Sequence, residues 1–168
     1  MRSVLLLIMT MVILGGALWA AQGYRLLRLA RGQTLEAWLE LREALLARRE
    51  MIPYIVAAVP SSVASILDIL GNACDLAANV EGVLECSQAE ARLSAAISKL
   101  FSQLDAEASA ETLKMMSSLR ERVKDQAMRI ELLQGIYNRQ VESFNALQRR
   151  GSGRVLASFG VVKFAEVF

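Results

Sequence analysis

Apolar residues recur at intervals of three and four over most of this chain, the period of helices that bury one face. In the last long pattern Tyr137, Val141, Phe144 and Gln148 lie four, three and four apart, which puts them on one face and makes that face a seam against neighbouring helices. The pattern opens near Glu111, passes through Leu113, Met116, Val123, Ala127 and Ile130, and runs to Arg149. Arg120 and Gln134 occupy two places on the stripe, so the near-heptad spacing predicts helix packing short of a clean coiled coil. Asn138 and Asn145, seven apart, stand one residue beyond the stripe. Their amides either bond to a crossing helix or the following loop, or stay solvated as asparagine mostly does.

The opposite end of the chain is apolar all round. Val4 to Ala21 is eighteen residues without charge or proline, the length of a membrane-spanning helix. A cleaved signal peptide competes, because Arg2 gives a basic start and Ala20 and Ala21 are small. A cut after either alanine, however, leaves Leu18 or Trp19 at the minus-three position, where a small residue is wanted, so the segment is expected to be retained. Trp19 and Tyr24 fall at its edge, where amphipathic rings prefer the headgroup layer. Arg25, Arg28 and Arg31 follow, against Arg2 and the amino terminus on the other side, a difference that favours a cytoplasmic domain.

The helical pattern then continues without a break. Leu27, Thr34, Trp38, Leu41, Leu45 and Ile52 mark a stripe, and Glu36, Glu40, Arg42, Glu43, Arg48, Arg49 and Glu50 are read as lying largely off it. Only Gly32 interrupts before Pro53, so one helix from Val4 to Glu50, roughly 70 Å long, would stand the domain directly on its anchor. Pro53 suits the start of a second helix, where its missing donor costs little. Residues 51–67 carry no charge, but Pro60-Ser61-Ser62, Ser65 and Asp68 interrupt them, which predicts a bundle helix rather than a second span. Gly71-Asn72 is a weak point in this stretch. Ser87 with Glu90 three residues later has the form of a capping box opening a third helix, with Leu93, Ile97, Leu100, Phe101 and Leu104 as its apolar face. Asp105 to Ala110 reads as the next turn, and a helix of nearly forty residues after it needs partners along its length, for which the first long helix is the natural antiparallel mate. Gly151 after Arg149-Arg150 reads as its stop. The apolar tail, from Val155 to Phe168, is expected to fold back on the bundle, with membrane insertion or a partner as alternatives.

Composition narrows what such a chain does. Fifty-four per cent of residues are hydrophobic and only 6% aromatic, which fits an all-α domain plus a membrane element and not a large sheet. Net charge is +2, far from the basic field that nucleic-acid binding needs. There is no histidine, which removes the usual general base and the commonest metal ligand together. Cys74 and Cys86 are too few for a zinc site and read as small buried hydrophobes. The glycines and arginines of Gly151-Ser152-Gly153-Arg154 lack the preceding strand of a phosphate-binding loop. Ser61, Ser62 and Asp68 are the only clustered polar groups in an apolar stretch, and are the candidates for histidine-free catalysis, although such hydroxyls more often bond back to their own helix.

Several stretches together resemble one family. Gly23-Tyr24-Arg25-Leu26-Leu27-Arg28-Leu29, then Ala37-Trp38, then Arg48-Arg49 and Ile52-Pro53 are similar to the first block of LemA family proteins. Leu119 to Glu131, Tyr137-Asn138, Val141, Phe144-Asn145, and Phe159-Gly160 within the closing segment resemble the second. The resemblance implies a bacterial protein with an N-terminal membrane anchor followed by a helical bundle with a very long first helix. With the residue pattern this gives an anchor (1–23), an antiparallel bundle of about four helices with very long first and last members (24–150) and an apolar tail (151–168). It supplies structural motif residues, no catalytic ones and no cofactor. One branch of the family is tied to building the magnetosome membrane. The chain departs from the pattern at Arg149-Arg150-Gly151-Ser152, where a phenylalanine-proline turn is expected, and at Pro60.

The expectation is therefore a protein of the bacterial inner membrane, held in the bilayer through Val4 to Ala21, that acts as a helical scaffold by binding protein partners, a second copy among them. A membrane-shaping protein and a histidine-free membrane enzyme or regulatory subunit are the alternatives.

Overall fold

A computed structural model describes residues 2–59, 64–80, 82–107, 110–151, 165, 167 and 168. They form five helical segments: α1 (Arg2–Glu50), α2 (Ile52–Ala58), α3 (Ala64–Ala78), α4 (Val83–Glu107) and α5 (Ala110–Arg149). Among the described residues there is no strand. The expected all-α architecture, with very long first and last helices, is the one observed.

α1 has 49 residues and runs unbroken for about 73 Å. Its apolar beginning has no partner among the described residues: the large side chains from Val4 to Leu18 are all more than half exposed. It is also the one helix among the described residues long and apolar enough to cross a membrane. Burial begins at Gly23 and Leu27 and continues through Ala30, Thr34, Ala37, Leu41, Ala44 and Leu45. Thr34 reaches this face without stranding its hydroxyl, which donates to the Ala30 carbonyl at 2.9 Å. α1 stops at Glu50 because proline at 53 can neither donate to the carbonyl of Arg49 nor fit its ring beside it. One residue makes the bend: Met51 N–H still donates to Arg48 O, and Ile55 N–H to Met51 O, each at 3.1 Å.

α5 returns along α1 in a constant antiparallel register. The Gln126 amide donates to the Ala44 carbonyl at 2.9 Å, Phe144 shares a core cluster with Leu27 and Ala30, and a β-carbon built on Gly151 would stand 3.4 Å from Cζ2 of Trp19. Each step up α1 is thus matched by an equal step down α5, and the end of α5 lies level with the end of the apolar stretch. Gly151 stops the helix with φ +46°, a left-handed conformation that glycine adopts without strain.

α3 and α4 form a second pair that packs on the far half of the α1–α5 pair. Leu70, Ala73 and Ala77 of α3 meet Ala89, Leu93, Ile97, Leu100 and Leu104 of α4, closed by Ile52 and Ile55 of α2 and by Met116 and Val123 of α5. Beyond this four-helix region, Leu27 and Ala30 of α1 pack, among the described residues, on Phe144 and Leu147 of α5 and on Ala165, in a two-helix stretch between the bundle and the apolar beginning of α1.

The structure corrects several boundaries. The weak point at Gly71 and Asn72 lies inside α3, which ends at Ala78. α4 begins at Val83, with Cys86 N–H bonded to Gly82 O at 2.8 Å, so Ser87 and Glu90 are interior positions and not a capping box. α4 also runs to Glu107, through the first half of the expected turn. Arg48 does not lie off the stripe: it is 5% exposed, since 41, 45, 48 and 52 keep the four-three-four spacing of the buried face, and Arg49 beside it is partly buried. On α5, Ala127 is exposed where the stripe predicted burial. Arg120 leaves the stripe for α4, where it bonds Asp105 at 2.7 Å and lies 5.0 Å from the centroid of Phe101.

Candidate functional site

Two arrangements of polar groups stand out from the core. The first ties α1 to α4. Arg48 and Arg49 both reach the carboxylate of Glu90: Arg48 pairs with Oε2, and Arg49 donates to Oε1 from Nε at 2.9 Å and from its terminal nitrogen at 2.5 Å. Arg48 also donates to the Ser94 hydroxyl at 2.9 Å, and that hydroxyl donates to the Glu90 carbonyl at 2.9 Å. Glu90 is 2% exposed, so its charge is stable only while both guanidinia hold it. Arg48, Glu90 and Ser94 line a cleft of about 350 Å³, to which α5 contributes Glu131.

Cys86 packs beside this cluster, one turn before Glu90. Burial, and after it the neighbouring Glu90 charge, raise its thiol above the usual value, against a smaller lowering by Arg49. Cys74 is raised as well, by burial first. Both are free cysteines. A folded-state pKa above the unfolded one contributes stability below the unfolded value, and that contribution is lost as pH rises through the folded one. Alkylation of Cys86 by iodoacetamide at pH 8 is therefore expected to be at least about tenfold slower in the folded chain than in urea; equal rates would mean that the residue is not enclosed.

The second arrangement holds the tail. Asn138 accepts from Phe168 N–H at 2.8 Å and donates to Phe168 O at 3.2 Å. Asn145 does the same with Ala165, accepting at 3.1 Å and donating at 3.0 Å. Each amide thus satisfies both backbone groups of one tail residue, as a neighbouring strand would. The spacing fits: seven helical residues rise about 10.5 Å, and three extended residues span about 10 Å. Ala165 and Phe168 therefore follow α5 in the order opposite to its direction. Phe168 then lies against Trp38 at 5.9 Å between ring centroids, and Trp38 lies 5.5 Å from Tyr137, both tilted pairs of the favourable kind.

The motif residues divide accordingly. Trp38, Tyr137, Asn138 and Asn145 form the tail clasp, Val141 and Phe144 fill the seam beneath it, Arg48 and Arg49 form the ion cluster, and Pro53 makes the bend. Phe159 and Gly160 lie outside the described residues, as do Ser61, Ser62 and Pro60. Asp68 is described and exposed on α3. Sequence reasoning missed Glu90 and Ser94. The signal was present: a glutamate at 90 sits on the stripe of Cys86, Leu93 and Ile97, just as an arginine at 48 sits on that of Leu41 and Leu45. Opposite charges on two buried stripes have to meet.

The sequence profile of the LemA family matches residues 37–168. The chain belongs to the LemA family. The match opens at Ala37-Trp38 and takes in both polar arrangements, while α1 up to Glu36 lies ahead of it. No curated protein matches the chain.

The asparagine clasp carries a prediction of its own. Asn138→Ala is expected to cost about 1 kcal/mol and to raise the amide exchange rate of Phe168 about fivefold, while Asn145→Ala does so at Ala165. Site-resolved hydrogen exchange checks both, and unchanged exchange at both amides would show that the clasp does not hold the tail.

Proposed function

We propose that this LemA family protein is a membrane-anchored scaffold, working by binding and without turnover. The observation that carries the reading is the continuity of α1: one helix has an exposed apolar stretch, uncovered by the other described residues, and enters the bundle core without a hinge. Such a helix fixes the bundle's height and direction relative to the bilayer, which serves display of a surface better than diffusion to a substrate. That surface includes Leu35, Leu39 and Leu46, on the outer side of α1 and 57%, 52% and 46% exposed. They lie close on one helix face, and such a patch supports a protein partner. We place the protein in the bacterial inner membrane with the bundle in the cytoplasm.

The test uses the full chain in cells, with a photo-crosslinking residue at Leu39 and, as a control, at Leu41, which is fully buried. Discrete crosslinked species from position 39 and none from 41 are expected. No crosslink at 35, 39 or 46, in membranes that retain the protein after alkaline extraction, would overturn the scaffold reading. Release of the protein by that extraction would overturn the anchor.

The membrane-shaping reading, including a magnetosome role, needs the same anchor and differs in what the tail touches. Ala165 and Phe168 bond to α5 and pack on the bundle, and this docking favours the scaffold over insertion of residues 155–168 into lipid.

A further inference from the structure

The net charge of +2 conceals a separation along the molecule. Residues 36–131 carry ten basic against fifteen acidic side chains, and the remainder carries nine basic against two acidic. The antiparallel register gathers much of that excess in one place. With Gly151 against Trp19, Arg149 and Arg150 lie level with Ala20 and Ala21, the end of the apolar stretch. Arg25 stands about 6 Å further along α1, Arg28 about 10 Å and Arg31 about 15 Å. The first acidic side chain on α1 is Glu36, and on this part of α5 only Glu142 intervenes, level with Arg28. Arg25, Arg28, Arg31, Arg149 and Arg150 are all exposed.

One or two basic residues at the end of α5 serve its dipole. Five arginines from two helices, all within about 15 Å of the end of the apolar stretch, exceed that need. The headgroup layer on each side of a bilayer is about 5–8 Å deep, and charges act about 8 Å beyond it at physiological ionic strength. If Val4 to Ala21 span the hydrocarbon, then Arg149, Arg150 and Arg25 stand inside the headgroup layer and Arg28 within reach of its surface charge. Planar guanidinia bind phosphate oxygens in pairs.

We propose that this collar, built jointly by α1 and the end of α5, binds the headgroups of acidic phospholipids and gathers them around the anchor. The proposal rests on the membrane reading above and adds a lipid selectivity to it. It assigns Arg149 and Arg150, remote in sequence from the anchor, to the same surface as Arg25 and Arg28.

Trp19 reports on the collar directly, because it stands at its level, whereas Trp38, the other tryptophan, lies 19 residues, about 28 Å, further along α1 and packs on Tyr137. The full chain is reconstituted in phosphatidylcholine vesicles holding about a fifth phosphatidylglycerol. Brominated acyl chains, which quench tryptophan on contact, are placed either on the phosphatidylglycerol or on an equal amount of the phosphatidylcholine. Each arginine near the surface adds a factor of about five to the attraction for acidic lipid, so phosphatidylglycerol is expected to quench Trp19 at least about twofold more strongly. Changing Arg25, Arg28, Arg149 and Arg150 to glutamine is expected to remove the preference and leave the quenching by either lipid. Equal quenching by the two lipids in the natural chain, which needs no variant to fold, would overturn the proposal and leave the anchor standing. An absence of quenching by both would overturn the anchor reading itself.

Discussion

Glu90→Ala is expected to destabilise the bundle by about 3–5 kcal/mol, the cost of removing one partner from a buried ion pair. The carboxylate is shared by two guanidinia, and Arg48, 5% exposed, cannot follow a lost partner into water without pulling α1 away from α4. Arg49 is less enclosed, with 14% of its side chain exposed, and part of the loss is recovered by its rotation outward. A bundle of this size shifts by roughly 2–4 °C per kcal/mol, so the melting temperature of the full chain in detergent, followed by helical circular dichroism, is expected to fall by roughly 6–20 °C. A fall of under about 2 °C would mean that α4 is held by its apolar face alone.

The same cluster predicts a rescue. Changing Arg48 and Arg49 to Met together with Glu90→Leu removes all three charges and fills the space with apolar atoms. Replacing a buried ionic group whole by hydrophobes is often neutral or stabilising, so the triple variant is expected to melt well above Glu90→Ala. That result would separate the penalty of an orphaned charge from the net contribution of the cluster, which is small. It would also suggest what the cluster does: only one placement of α4 brings Glu90 under both arginines, whereas Leu93, Ile97 and Leu100 tolerate a slip along the groove.

The helices and their faces were legible because periodicity reports burial directly. The stripe at Leu27, Thr34, Leu41 and Leu45 and the one at Val123, Ile130, Tyr137, Val141 and Phe144 both came out buried. Their antiparallel pairing followed from length, since neither helix is stable alone. Charge is less legible. Residue type points Arg48 to solvent although its spacing matches the core, and a local capping role accounts for Glu90 without a distant partner. At both positions spacing, and not side-chain chemistry, matches the observed burial. The tail clasp was half legible: Asn138 and Asn145 showed a heptad spacing, but what they bind depends on how the chain returns after Gly151, and no periodicity encodes that. The collar was hidden for a different reason, because Arg149 and Arg150 join Arg25 and Arg28 only once the helix register is known.

Trp38→Ala is expected to release the tail and to cost about 2–3 kcal/mol. A fully buried tryptophan replaced by alanine costs about 3–5 kcal/mol, and Trp38 is half-buried, which lowers the figure. Its ring touches both α5 and the tail, through Tyr137 on one side and Phe168 on the other. Without it Phe168 loses its aromatic partner, and the two asparagine pairs alone must offset the entropy of ordering the tail's last residues, about 1–2 kcal/mol of backbone for each residue fixed. Neutral hydrogen bonds contribute about 1 kcal/mol each, so the balance falls near zero and the tail is expected to be largely undocked. The amides of Ala165 and Phe168 should then exchange nearly as fast as in an unstructured peptide, while those around Val141 stay protected. Retained protection at Phe168 would show that the asparagines suffice and that the aromatic contacts only add to them. Phe168→Ala distinguishes the two sides of the contact: it should free the tail equally but leave the α1–α5 seam, and so the melting temperature, much closer to the natural chain than Trp38→Ala does.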